Sequence, residues 1–250
     1  MNLLFLRFLF SSYAFFHVFC ESAFAVDNAP FHVQIKEPHE VQVIDAGIPA
    51  LQKRLEMIDR ATQRISVEYF IFNTDQAGRI FTQALIRKKQ SNPKVQIRVI
   101  VDASSTVLQL KGNYINELVR NGIEIRYYNP VFFLQFITMQ YRDHRKLLAI
   151  DGREAITGGR NIADEYFDLN KKFNFRDRDI WVKGPIAADM EQSFDRYWAD
   201  KRVKPASLAQ KPFPSSTGGE GGNDQNFEME LERFNNEAKA AADFVMENEN

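Results

Sequence analysis

Residues 144–161 have the sequence HRKLLAIDGREAITGGRN, and the rest of the chain is interpreted outward from this stretch. The apolar residues 147–150 predict a strand anchored in a hydrophobic core. On an extended segment Lys146 lies two residues from His144, so both side chains leave the same face. A nucleophile beside a fixed cation suits attack on a phosphate anion.

A second group of residues follows Asp151 after six intervening positions. Gly158 and Gly159 allow the backbone to pass close to a substrate. Asn161 is placed to donate its side-chain amide at the start of a predicted helix.

The distribution of histidines favours a functional role for His144. The chain has four histidines, and His17, His32 and His39 all lie before the predicted core. A lone histidine in a core is more often a satisfied structural residue. The HxK spacing around His144 reverses that expectation.

Strand and helix patterns alternate on both sides of the motif. Predicted strands cover residues 65–72, 95–101, 123–128, 146–150, 154–157 and 179–183, and predicted helices cover 77–89, 114–120 and 185–200. Strands 146–150 and 154–157 are joined as a hairpin at Asp151-Gly152. Strands that alternate with helices predict an α/β fold with helical crossovers and a mostly parallel sheet.

The composition divides the chain into five predicted segments. Residues 8–19 are apolar and Ala23-Phe24-Ala25 has the small-x-small form of a signal peptidase site, so cleavage after Ala25 is favoured over an uncleaved anchor. Cys20 lies inside this signal, and the mature chain would contain no cysteine for a disulfide or metal site. The segments are a signal peptide (1–25), an extended stretch (26–44), the main domain (45–205), a Pro/Ser/Gly-rich linker (206–225) and an acidic helical tail (226–250).

The net charge of −1 conceals a basic body and an acidic tail. Residues 213–250 hold nine acids and two bases, whereas residues 26–212 hold 29 bases and 23 acids. A mildly basic body suits an anionic substrate such as a lipid head group or nucleic acid. An ordinary solvated surface explains the charge equally well.

The motif, in the form HxK, four residues, D, six residues and GGxN, resembles that of the phospholipase D superfamily in every defined position. The flanking sequences ISVEYFIFNTDQAGR (65–79), GGRNIADEYFD (158–168) and GPIAADMEQSFDRYW (184–198) are similar to the bacterial cardiolipin-synthase-like branch. The resemblance covers residues 45–200. It implies a three-layer α-β-α sandwich with a mixed, mostly parallel central sheet.

The resemblance also implies roles for particular residues. His144 would form a phosphohistidine, and an acidic residue after the GGxN segment, either Asp177 as the better match or Asp179, would orient it. Neither a cofactor nor a metal is needed for this chemistry. The predicted set comprises catalytic His144, Lys146 and Asp177, phosphate-binding Lys146, Gly159 and Asn161, and structural Asp151 and Gly158.

The sequence departs from the family in having one HxK motif, whereas a complete site in this superfamily uses two. In such a site one histidine attacks phosphorus and the other protonates the leaving oxygen. Two interpretations remain: a homodimer whose chains each lend His144, or the amino-terminal half of a two-motif enzyme.

Three functions are compatible with these observations. The favoured one is hydrolysis or transfer on a phosphatidylglycerol-like phospholipid, at the periplasmic face of a bacterial inner membrane. A secreted or periplasmic nuclease is the alternative, although no dense basic stripe with interleaved aromatics is seen. The third is an inactive half-enzyme that binds phospholipid or a partner.

Two further features have more than one interpretation. The apolar stretch 131–139 is either a lip for acyl chains or part of the core. Glu68, in the first predicted strand, either faces the site or, as favoured, occupies a salt-bridged or edge position.

Overall fold

The central feature of the fold is a sheet built around the strand that follows Lys146. The computed structural model describes residues 38–103, 112–130 and 141–206, with the side chains of 112–114 excepted. The predicted signal peptide, the apolar stretch 131–139 and the acidic tail lie outside the described residues, as does all of the predicted linker except Ala206. In the described ranges the strands are β1 (Glu40–Ile44), β2 (Arg64–Tyr69), β3 (Gln96–Asp102), β4 (Glu124–Tyr128), β5 (Lys146–Ile150), β6 (Glu154–Gly158), β7 (Asp179–Lys183) and β8 (Val203–Pro205).

The helices lie between these strands as the apolar spacing predicts. In the first, Ala50, Leu51, Met57 and Ile58 are buried, at intervals that place them on one face. The described helices are α1 (Gly47–Arg60), α2 (Gln76–Ser91), α3 (Gly112–Arg120) and α4 (Ile186–Trp198), with a 3-10 turn at Asp164–Tyr166. No helix in the three described ranges is long and apolar enough to span a membrane.

The sheet is mixed, as predicted, but the expectation that it is mostly parallel is not confirmed. Its strand order is β1-β7-β6-β5-β2-β3-β4-β8. Among the described strands, only the β2–β3 and β3–β4 pairings are parallel, and the other five are antiparallel. The helical crossovers that enforce parallel pairing stop at β4, and hairpin-like connections without crossover helices then join β5, β6 and β7.

Both faces of the sheet are covered, which gives the predicted three-layer sandwich. Leu148 and Ile150 of β5 belong to the hydrophobic cluster that includes α1, α2 and α3. Leu147 and Ala149 of the same strand belong to the cluster that includes Phe194 of α4. Strand β5 is therefore buried on alternate faces, which explains why its sequence is a continuous apolar run.

The sheet begins earlier than the predicted domain boundary at residue 45. Strand β1 pairs with β7 along its whole length, from Glu40 opposite Lys183 to Ile44 opposite Asp179. The end of the predicted extended stretch is thus an edge strand of the domain.

One edge of the sheet gathers the motif residues. The strand pairings place the carboxyl ends of β2, β3, β4 and β6 beside the amino ends of β5 and β7. Ligand sites of open α/β sheets form at such carboxyl edges. His144, Asn161 and Asp177 all belong to segments that meet this edge.

Asp151 lies at the opposite end of β5 and joins two elements of the core. Its carboxylate accepts four hydrogen bonds of 2.8 Å, from the backbone amides of Thr62, Gln63 and Arg64 and from the Thr62 hydroxyl. Partial burial acts to raise the pKa of Asp151, but these backbone hydrogen bonds lower it overall. Asp151 thus fixes the connection from α1 to β2. It is separated from His144 by Arg145 and the five residues of β5.

We expect Asp151→Ala to lower the free energy of unfolding by about 2–3 kcal/mol, because three backbone amides lose a charged acceptor. Asp151→Asn, which keeps one acceptor oxygen and tolerates the left-handed φ of 53°, should lose roughly half as much. Urea denaturation of the full chain measures both values. Equal stability of Asp151→Ala and the wild type would show that this carboxylate does not hold the connection.

Candidate active site

His144 and Lys146 meet around one aromatic ring at the carboxyl edge of the sheet. The exposed imidazole of His144 stacks on Phe70, with ring centroids 4.1 Å apart and planes inclined by 22°. Lys146 Nζ lies 5.7 Å from the centre of the same ring and donates a 2.6 Å hydrogen bond to the His144 carbonyl oxygen. Phe70, which directly follows β2, therefore forms a common floor for both side chains.

The surroundings of Lys146 combine desolvation with negative charge. Partial burial lowers the pKa of Lys146 below its usual range, while the carboxylates of Asp143 and Asp177 act in the opposite direction. Within the described part of the chain the Lys146 ammonium group forms no ion pair, and it donates only to the His144 carbonyl oxygen. It is available to an incoming anion.

The two glycines of the GGxN segment are required by the chain that faces them. A Cβ built on Gly159 would lie 2.8 Å from Asp177 Cγ, and one built on Gly158 would lie 2.6 Å from Asp179 Cα. Gly158 also has a φ of 159°, at the limit of what other residues adopt. The absence of side chains here lets the 177–179 backbone and the Asp177 carboxyl group approach the motif.

Asn161 is buried and held from two sides. Its Oδ1 accepts a 3.0 Å hydrogen bond from the backbone amide of Ile71, and its side chain is also hydrogen-bonded to the Tyr166 hydroxyl. Because the oxygen is engaged by the backbone, the amide NH2 is the end oriented toward Tyr166. Asn161 follows β6 in an irregular turn, and the short helix predicted near it is the 3-10 turn that begins at Asp164.

Asp177 and Asp179 have different environments. Asp179 is fully buried and pairs with two buried arginines, at 3.0 Å from Arg54 Nη1 and 3.4 Å from Arg160 Nη1. Asp177 is partly exposed, and it lies against Gly159 within electrostatic range of Lys146. Of the two carboxylates, Asp177 is the one at the site, although no hydrogen bond joins it to His144 among the described residues.

A second buried acidic group lies beneath the histidine segment. Glu68 is fully buried; its carboxyl group contacts that of Asp143 and pairs with Arg145 Nη2 at 3.0 Å. Asp143 accepts a 3.1 Å hydrogen bond from the Arg145 amide, and its own amide donates to Asp102 Oδ2 at 2.9 Å. These contacts hold the backbone on both sides of His144. They also place Glu68 in a salt-bridged position, which is the interpretation favoured from the sequence.

Burial raises the pKa of Glu68 well above its usual range, and the neighbouring Asp143 carboxylate raises it further, whereas Arg145 acts to lower it. Two buried carboxyl groups in contact share a proton more readily than they carry two negative charges. Burial and the adjacent Asp143 carboxylate therefore both favour the protonated form of Glu68 in the fold.

Sequence reasoning missed three parts of this arrangement. Phe70, Tyr166 and the Asp102–Asp143 contact are not implied by the motif itself. Asp143 directly precedes His144 and was detectable as an acid beside the motif, but its burial depends on β3, which is distant in the sequence. No group of three or more His, Cys, Asp or Glu side chains arranged to hold a metal ion is present in the part of the chain that the structure describes.

A mixed sheet with HxK at its carboxyl edge and GGxN beside it defines a phospholipase D-type domain. A sequence profile described as "Cardiolipin synthase, PLD-like domain" matches residues 55–198, more than half of the chain. The chain therefore belongs to this cardiolipin synthase family of phospholipase D-like domains.

Known proteins agree with this assignment. A cardiolipin synthase of Oceanobacillus iheyensis is 34% identical over 159 residues, which are 63% of this chain and 33% of that protein. The chain spans about a third of the length of the curated relatives that it matches.

Solved structures agree at the level of the fold. The phosphatidylserine synthase of Haemophilus influenzae has a TM-score of 0.58 at 17% identity, covering 78% of this chain and 42% of that one. The phospholipase D family member Nuc of Salmonella typhimurium has a TM-score of 0.50 at 18% identity, covering 68% of this chain and 99% of that one.

We expect Gly159→Ala to lower the free energy of unfolding by about 1–3 kcal/mol, because the new methyl group overlaps the Asp177 side chain. In an Asp177→Gly background the overlap is absent, so the same substitution should cost much less. A double-mutant cycle by urea denaturation measures this coupling. Additive costs would mean that Gly159 is required for another reason.

We expect Glu68→Gln to change how stability depends on pH. Above about pH 4.3 an unfolded glutamate loses its proton, whereas the buried Glu68 keeps it, so the wild type loses stability as the pH rises toward the folded pKa. Glutamine imitates the protonated acid and removes this loss, which amounts to at most about 1.4 kcal/mol per pH unit.

The measurement is the difference in unfolding free energy between Glu68→Gln and the wild type from pH 4.5 to 8, which should shift in favour of the variant. Glu40→Gln, an exposed glutamate on β1, is the control and should run parallel to the wild type. A constant difference for Glu68→Gln would show that Glu68 is ionised in the fold.

Proposed function

We propose that this chain provides the phosphodiester-cleaving site of a phospholipid phosphatidyltransferase or hydrolase that works through a phosphohistidine. The observation that carries the proposal is the exposed His144 imidazole beside the Lys146 ammonium on a shared Phe70 floor. Membership of the cardiolipin synthase family supports the choice of a lipid phosphodiester.

The proposed reaction has two displacements at phosphorus. A nitrogen of His144 attacks the phosphatidyl phosphorus, the P–N bond forms, and the bond from phosphorus to the leaving alcohol oxygen breaks as that oxygen takes a proton. The hydroxyl of a second lipid, another alcohol or water then attacks phosphorus and gives up its proton. The P–N bond breaks and His144 is regenerated.

The neighbouring residues have distinct proposed roles. Lys146 and the amide NH2 of Asn161 bind the non-bridging oxygens, where negative charge develops during displacement. Gly159 leaves room for the Asp177 carboxyl group to approach the site. Asp177 stabilises the positive charge on the imidazole, and the Glu68–Asp143 pair positions the histidine backbone from below.

A second histidine is proposed to protonate the leaving oxygen. The HxK motif occurs once in the sequence, so this group comes either from His144 of a second copy or from a second motif on another polypeptide segment. In a site shared by two copies, one inactive partner disables the site. The predicted export signal suggests that the site works on phosphatidylglycerol-like lipid at the outer face of a bacterial inner membrane.

We expect the full chain to release or transfer the phosphatidyl group from labelled phosphatidylglycerol vesicles, and His144→Ala to lower the rate at least about 1000-fold. Lys146→Ala should lower it about 100-fold, whereas Lys94→Ala, an exposed lysine at the far end of β3, should not. His39→Gln is the matched histidine control, because His39 accepts a hydrogen bond from the Ile186 amide at the end of β7 that lies away from the motif.

Three outcomes distinguish the alternatives. If two copies share a site, activity in mixtures refolded with His144→Ala should fall with the square of the wild-type fraction. Cleavage of single-stranded DNA in place of lipid would replace the proposal with a nuclease. Folded protein without activity on either substrate would reject catalysis by this chain alone.

A further inference from the structure

A loop beside the site combines exposed aromatic rings with a cluster of cations. Residues 170–178, NKKFNFRDR, run from the 3-10 turn to the start of β7, and we call this segment the aromatic–basic loop. Phe173 is 55% exposed and Phe175 is 45% exposed. They are two of the six large hydrophobic residues that are exposed in the described ranges, and they lie within three positions of each other.

The loop has a defined conformation. The Asn174 side chain accepts a 3.1 Å hydrogen bond from the Asn170 amide and donates one of 3.0 Å to the Asn170 carbonyl. The Asn170 side chain accepts a 2.9 Å hydrogen bond from the Lys172 amide. The Phe175 amide donates to the Glu165 carbonyl at 2.7 Å. Phe173 lies at the turn that these hydrogen bonds close, so its exposure follows from the folded conformation of the loop.

The aromatic rings form a ridge that begins at the site. Phe175 lies against Tyr166, with centroids 4.9 Å apart, and Phe173 meets Phe175 edge-on at 5.5 Å. Tyr166 in turn is hydrogen-bonded to Asn161. The ridge therefore runs from the proposed phosphate-binding amide outward to the exposed tip.

The charged residues within the loop itself are mainly positive. Lys171, Lys172, Arg176 and Arg178 contribute four cations, against one carboxylate within the loop, Asp177. Arg178 pairs with Asp45, and both side chains are exposed. The carboxylates of Glu165 and Asp168 lie at the base of the loop, where Asp168 accepts the Gly47 amide at 2.6 Å. Lys171, Lys172 and Arg176 are exposed on the loop itself.

We propose that the aromatic–basic loop docks the domain on an anionic phospholipid surface, with Phe173 and Phe175 entering the head-group region while the cations contact lipid phosphates. Aromatic side chains favour the membrane interface, and each nearby Lys or Arg adds attraction to anionic lipid. The inference rests on the proposed function and names the surface through which that site reaches its substrate. Docking at this loop sets Asp177, His144 and Lys146 against the head groups.

The ring geometry favours lipid over nucleic acid. Base stacking needs an aromatic face presented to each base, but Phe173 and Phe175 meet at 77°, and Phe175 is tilted by 39° against Tyr166. In this edge-to-face contact one ring packs its edge against the other, and the two rings together present an apolar ridge rather than a row of parallel faces. Such a ridge inserts between head groups more readily than it stacks on bases.

The test places a nitroxide label on the full chain. Cys20→Ser removes the native thiol, and Phe173→Cys carries the label; Val41→Cys is the matched control, because Val41 is 59% exposed and lies opposite Val182 near the far end of β7. With phosphatidylglycerol vesicles, the label at 173 should become more accessible to oxygen and less accessible to a water-soluble nickel chelate. The label at 41 should not change, and phosphatidylcholine vesicles should have little effect at either position.

A charge variant tests the electrostatic part. Lys171→Gln with Lys172→Gln should lower the ratio of inserted to exposed label at 173 about 5-fold for each cation removed. The label reports where residue 173 lies even if another segment of the chain also binds the vesicles.

The inference is overturned if residue 173 stays accessible to the nickel chelate on vesicle-bound protein, or if the protein does not bind the vesicles. Protection of the label by single-stranded DNA alone would make the loop a nucleic-acid surface. Protection that depends only on protein concentration would make it a contact between copies. Vesicle docking by a His144→Ala chain, or by a wild-type chain that shows no turnover, would support this inference independently of the proposed function.

Discussion

The arrangement of the site depends on one buried ion cluster, in which Asp179 joins Arg54 of α1 to Arg160 of the GGRN segment. All three side chains are buried, and Arg160 also donates to the backbone carbonyls of Ile44, Asp45 and Tyr166. Arg54 Nε donates to the Tyr69 hydroxyl at 3.0 Å. Removing one member of such a cluster leaves buried charge uncompensated, which is far more costly than losing an exposed pair.

This cluster connects stability to chemistry because its members alternate with site residues along the chain. Asp177 lies two positions before Asp179, Asn161 directly follows Arg160, and Phe70 directly follows Tyr69. Fixing the buried cluster member of each pair fixes the position of the neighbouring site residue. The Glu68–Asp143 contact performs the same task for His144. The site is thus supported from two buried polar groups, one on each face of the sheet.

The sequence predicted the elements and the motif better than the arrangement between them. Strands β2 to β7 were located to within a few residues, because each is a short apolar run bounded by turn residues, and the family assignment was confirmed. The prediction of a mostly parallel sheet was not confirmed, because strand direction after β4 depends on connections that hydrophobic periodicity does not reveal. The family resemblance favoured Asp177 over Asp179, but the sequence did not reveal why their environments differ, since the burial of Asp179 depends on Arg54 and Arg160, which lie 19 or more residues away.

The proposed mechanism requires that His144 become covalently bonded to phosphorus. The full chain would be mixed with phosphatidylglycerol vesicles and quenched within a turnover at mildly alkaline pH, where a histidine phosphoramidate persists, and the peptide that contains His144 would be analysed by mass spectrometry. The account predicts an acid-labile phosphatidyl adduct on His144 that is absent from His144→Ala. Lipid turnover without such an adduct, or with the adduct on another residue, would contradict it.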